Sequence, residues 1–66
     1  MNIMLNGEPA QLPEGITLAD LIERLELGGK RIALEVNESI VPRSRFADHR
    51  LSPDDRVEIV HAIGGG

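Results

Sequence analysis

Only one stretch of this chain carries apolar residues at helical spacing, and it is short: Leu18, Leu21, Ile22 and Leu25. Thr17 stands at the N-cap position with Asp20 three residues on, a pair that can answer the free N–H groups of a first helical turn. Asp20, Glu23, Arg24 and Glu26 face water, and Gly28-Gly29 supplies a left-handed stop. A helix of about nine residues does not persist by itself in water. It needs a sheet to pack on, and the remainder of the chain must form that sheet.

The remainder reads as strands and turns. Met1 to Leu5 is short and apolar, and Asn6-Gly7 after it is the dipeptide best suited to the positive φ angles of a type I′ hairpin. The return strand, roughly Glu8 to Leu12, belongs at a sheet edge because Pro9 cannot donate to a ladder, and Pro13-Glu14-Gly15 ends it. Ile32, Leu34 and Val36 alternate with Ala33, Glu35 and Asn37, the period of a half-buried strand. Asn37-Glu38 turns into a short strand around Ile40 and Val41 that Pro42 closes. Ser44 to His49 reads as a loop or one helical turn, and Ser52-Pro53-Asp54-Asp55 as a turn. From Arg56 to Ala62 the alternation returns, Val57 and Ile59 against Glu58, Val60 and Ala62, and Ile63-Gly64-Gly65-Gly66 follows.

This order predicts an α+β fold with one helix on a mixed four- to five-stranded sheet, its first and last strands parallel at the centre. That arrangement is the ubiquitin-like β-grasp. The helix, Leu18 to Leu25, is expected to pack on Ile3, Leu5, Leu34, Val57 and Ile59. Residues 1–66 are expected to form a single domain, with 64–66 as a flexible glycine tail.

The core must be aliphatic, since Phe46 is the one aromatic residue, and no disulfide can staple it, since there is no cysteine. The missing thiols also exclude cysteine-based metal sites and a persulfide carried on the chain itself. A net charge of −4 has the wrong sign for neutralising phosphates, so no nucleic acid is expected as a partner. No apolar run approaches the roughly 20 residues of a membrane span, and Met1-Asn2-Ile3-Met4 lacks the order of a secretory signal. The expectation is a soluble cytoplasmic protein without membrane partners.

Conventional catalytic groups are scarce. His49 and His61 lie in different elements with no ligand spacing, so no metal site is expected, and Asp54-Asp55 reads as a solvated turn. Gly28-Gly29-Lys30 closes a helix instead of opening one, so it is no phosphate loop. What remains is Gly64-Gly65-Gly66, which has no side chains and can thread into a narrow site. A terminal carboxylate ordinarily titrates at about pH 3.3–3.7, so at neutral pH it is ionised and a poor electrophile, and acyl chemistry there requires activation by another protein.

Several of these segments together carry a resemblance. Asn6-Gly7, Thr17-Leu18-Ala19-Asp20-Leu21-Ile22, Val36-Asn37, Ile40-Val41-Pro42-Arg43 and Val60-His61-Ala62-Ile63-Gly64-Gly65-Gly66 resemble the ThiS-type sulfur carriers of thiamine biosynthesis. The resemblance implies a protein cosubstrate and not an enzyme. An E1-like adenylyltransferase of the ThiF type would use ATP and magnesium to adenylate Gly66. Sulfur from a donor such as a cysteine desulfurase would convert it to a thiocarboxylate, and a thiazole synthase of the ThiG type would receive that sulfur for the thiazole ring. No cofactor is expected on the carrier itself. Val60, Ala62 and Ile63 are expected to form the docking surface for the activating enzyme, with Arg43 and His61 at its rim. Residues alone leave open the small subunit of molybdopterin synthase, a ubiquitin-like modifier, and a β-grasp interaction module with an inert tail.

Overall fold

The computed structural model describes residues 1–61. In chain order it forms β1 (Asn2–Leu5), β2 (Glu8–Gln11), α1 (Leu18–Arg24), β3 (Ile32–Val36), β4 (Ser39–Val41), a 3-10 turn at Arg43–Arg45, and β5 (Arg56–His61). The strands make one five-stranded sheet in the order β2-β1-β5-β3-β4. Strands β1 and β5 run parallel at its centre, Met4 opposite Arg56 and Leu5 opposite Val57, and the other pairings are antiparallel. This is the mixed sheet with one helix that the sequence predicts. Strand β2, with Pro9, lies at the edge.

Both hairpin turns follow from their residues. Asn6 and Gly7 take φ of 51° and 83°, and Asn37 and Glu38 take 52° and 71°, the paired positive angles of a type I′ turn. Each asparagine also anchors β5. The Asn6 amide donates to the Val57 carbonyl at 2.9 Å, and its Oδ1 accepts from the Ile59 amide at 2.8 Å, so the side chain continues the ladder that β1 leaves at Leu5. Asn37 Oδ1 accepts from the Arg56 amide at 3.0 Å, and its Nδ2 donates to Asp55 Oδ1 at 3.0 Å.

The helix begins as expected. Thr17 Oγ1 accepts from the Asp20 amide at 3.1 Å, and Asp20 Oδ2 accepts from the Thr17 amide at 3.3 Å, a complete capping box. The Leu18 and Ala19 amides donate to the carbonyls of His49 and Phe46, so the loop after β4 satisfies the rest of the first turn.

The other end differs from expectation. The helix stops at Arg24, and Glu26, not Gly28, takes the left-handed conformation, with φ of 58°. The Leu27 amide then reaches the Ile22 carbonyl at 2.9 Å and the Glu26 amide the Glu23 carbonyl at 3.0 Å, the two bonds of a Schellman stop. Gly29, with φ of 82°, serves the next turn. Because the chain leaves the helix at Leu25, that side chain is 38% exposed and does not belong to the buried stripe.

Leu18, Leu21, Ile3, Leu34 and Val57 are the largest fully buried side chains, and Leu5 and Ile59 pack partly buried against them. The helix thus covers one sheet face through the contacts that the alternation implies. Leu12, Ile16, Phe46 and Leu51 close the core under the loops, and among the described residues it contains no buried polar side chain.

Candidate functional site

The site is built on β5. Val57 is wholly buried and Ile59 half-buried, while Glu58 and Val60 between and after them are exposed, so the strand shows one face to the helix and one to solvent. Val60 is 54% exposed. His61 lies opposite Ile32 and shares the helix-side face of the strand with Val57 and Ile59. Ala62, Ile63, Gly64, Gly65 and Gly66 lie outside the described residues.

Arg43 sits elsewhere. Its Nη2 donates to the Lys30 carbonyl at 2.8 Å, and its guanidinium carbon stands 5.8 Å from the centroid of the Phe46 ring, in a groove shared with Ala19 and Ile22 of the helix. The structure therefore does not bring Arg43 or His61 onto the face that Val60 presents.

That open face has features that sequence alone does not show. Opposite the helix, Glu35 of β3 lies directly across from Glu58 of β5, and on its other side from Ile40 of β4. Ala33 lies across from Val60 in the neighbouring row. Ile40 is 73% exposed. The signal is present in the sequence only as parity: Glu35 and Glu58 each fall on the polar side of an alternating strand, but which pair meets depends on a register between distant segments.

Among the described residues no three His, Cys, Asp or Glu side chains are placed to hold a metal ion, and no helix is long and apolar enough to cross a membrane. Nor do the described titratable groups converge on a nucleophile. What the architecture offers chemically is a rigid strand at the centre of a sheet, continued in sequence by Ala62-Ile63 and three glycines.

A helix-covered mixed sheet with this strand order, and a central last strand leading to glycines, defines the class of ubiquitin-like β-grasp carriers. The profile of the ThiS family matches residues 3–66, through the last glycine. The sulfur carrier protein ThiS of Escherichia coli is 33% identical over 66 residues, the whole of both chains. A thiazole synthase of Magnetococcus marinus is 41% identical over the whole of this chain, which spans only 20% of that protein. The crystal structure of the thiamine biosynthesis protein ThiS from Geobacter metallireducens superposes with a TM-score of 0.87 at 26% identity, covering 100% of each chain. The chain belongs to the ThiS family of sulfur carrier proteins for thiamine biosynthesis, whose members act as protein cosubstrates and not as enzymes.

Proposed function

We propose that the chain carries sulfur on the C-terminal carboxylate of Gly66. The observation that supports this most is that the family match runs to Gly66, at the end of the segment that leaves the sheet's central strand. A carboxylate is a poor acyl donor, so an adenylyltransferase first lets one of its oxygens attack the α-phosphorus of ATP. Pyrophosphate leaves, magnesium screening its charge, and an acyl-adenylate remains. The terminal persulfide sulfur of a donor such as a cysteine desulfurase then attacks the carbonyl and AMP departs, leaving an acyl disulfide to the donor's cysteine; a thiol reductant attacks that cysteine's sulfur, breaks the S–S bond by forming a disulfide with it, and frees the thiocarboxylate. Gly64 and Gly65 let this group reach an enclosed site where water is kept from the anhydride.

The receiver in this reading is a thiazole synthase. The protein of that name from Magnetococcus marinus contains, within one chain, a segment similar to this one along its whole length. Joining a carrier to its acceptor raises their effective concentration without any new contact. Val60, with Ala62 and Ile63 beyond it, supplies apolar docking area next to the tail, because ordering glycines costs entropy that contacts elsewhere must offset.

The test incubates wild type and a Gly66 deletion with the cognate adenylyltransferase, ATP and magnesium, following pyrophosphate release and intact mass. Wild type alone should release pyrophosphate and, with a sulfur donor, gain the mass of sulfur for oxygen. Equal pyrophosphate release from both proteins overturns the assignment to Gly66.

A further inference from the structure

Arg43, expected at the rim of the docking face, lies in the helix-side groove, where its charge is left unanswered. The guanidinium is fixed at two points, donating from Nη2 to the Lys30 carbonyl at 2.8 Å and standing 5.8 Å from the centroid of the Phe46 ring. Neither contact is with an anion. Among the described residues Arg43 has no carboxylate partner, although Glu23 lines the same groove with Ala19, Ile22, Gly28 and Ala47. In a chain of net charge −4, a positive group held in place without an acid is a ready carboxylate site. Its fork keeps further N–H donors, and fixing it before binding lowers the entropy cost of a contact.

We propose that this groove receives the Gly66 carboxylate of the same chain, a latch that holds the tail on the helix side until an adenylyltransferase draws it away. The regulatory consequence rests on the carrier reading above, whereas the contact itself does not. Reach selects the occupant. Strand β5 ends at His61 opposite Ile32, two residues beyond the Lys30 whose carbonyl holds Arg43. One strand spacing and two residues of extended chain separate them by about 8 Å, and the five residues after His61 can span up to about 17 Å. The way is clear, since Gly28 and Gly29, which lead into Lys30, have no atom within 4 Å of where a Cβ would stand. Charge agrees: the ionised carboxylate can accept two of the guanidinium N–H groups, and tethering gives it an effective concentration in the millimolar range that an untethered peptide or the tail of a second copy must exceed.

The test follows the free protein by NMR and its adenylation by kinetics. In wild type at low salt the Gly66 carboxylate should titrate below its ordinary range of about 3.3–3.7, because the guanidinium favours the charged form, and the Gly65 and Gly66 amides should be more ordered than in Arg43→Gln. Both differences should fade by about 500 mM salt, a response that decides the matter in wild type alone should Arg43→Gln fail to fold. Glu23→Gln, which removes the opposing carboxylate from the groove, should strengthen them. With the cognate adenylyltransferase, ATP and magnesium, Arg43→Gln should lower KM about two- to fivefold at unchanged kcat, the size of an exposed ion pair, and Glu23→Gln should raise it. Identical titration and order in wild type and Arg43→Gln overturn the latch, whether or not the protein is adenylated. A KM raised by Arg43→Gln overturns it too and gives Arg43 to the enzyme interface. Order that falls on dilution overturns the intramolecular occupant in favour of a second copy. Wild type that shows the NMR signature and no adenylation overturns the carrier reading and leaves the contact standing.

Discussion

Single residues in this protein occupy backbone conformations that their side chains disfavour. Glu26 ends the helix at φ 58°, where glycine is the usual occupant, and an L-residue in the left-handed region costs about 1–2 kcal/mol. Replacing Glu26 by glycine relieves that strain and keeps both Schellman bonds, which are made by main chain. Glu26→Gly is expected to stabilise the protein by up to about 1 kcal/mol, a rise of several degrees in thermal unfolding for a domain this small. The two nearby glycines, indistinguishable in sequence, separate by the same measurement. Gly29 has φ of 82°, so Gly29→Ala should cost about 1 kcal/mol. Gly28 has no positive φ and open space where a Cβ would go, so Gly28→Ala should be neutral or slightly stabilising.

At the scale of elements, what is legible in sequence is what local chemistry decides. Asn6-Gly7 dictates its hairpin, Thr17 with Asp20 dictates the start of the helix, and the alternation from Ile32 to Val36 dictates which side chains of β3 lie inward. Leu25 departs from its expected place because helical periodicity continues through it while the backbone stops at Arg24. The spacing of apolar residues carries no information about which residue will turn left-handed. Chemical denaturation of two variants measures that difference. Leu21→Ala removes a side chain that is 1% exposed and should cost about 2–5 kcal/mol, whereas Leu25→Ala, at 38% exposure, should cost less than about 1 kcal/mol. Thr17→Ala, which deletes one half of the capping box, should fall between them at about 1 kcal/mol. Near the candidate site, the exposure of Val60 is legible because strand parity reveals it. The Glu35–Glu58 pair and the separation of Arg43 from Val60 are not, since both arise from long-range pairing.

Across the whole molecule, folding depends on bringing the first hairpin to the last strand, and one side chain spans that closure. Asn6 Oδ1 accepts from the amide of Ile59, 53 positions later, at 2.8 Å, beyond the point where β1 itself ends. Its φ of 51° is tolerated by asparagine and glycine, so the conformational and hydrogen-bonding roles of the residue can be separated. Asn6→Gly retains the turn and removes the acceptor, and should cost about 1 kcal/mol. Asn6→Ala loses the acceptor and adds left-handed strain, for about 2–3 kcal/mol in all. Asn6→Asp keeps an acceptor at the same place and should remain near wild type. Amide exchange distinguishes a local loss from a general one: in Asn6→Gly the Ile59 amide should lose protection more than that of Leu34, which is buried on the neighbouring strand. Equal loss at both amides would mean that Asn6 acts through the turn alone. Because the same strand leads to Gly66, adenylation kinetics of the folded Asn6→Gly protein test whether a firmly held β5 is needed for presenting the tail. Under the proposed carrier function, an unchanged kcat with a higher KM is the expected result, since the carboxylate proposed for activation is untouched and only the platform beside it has loosened.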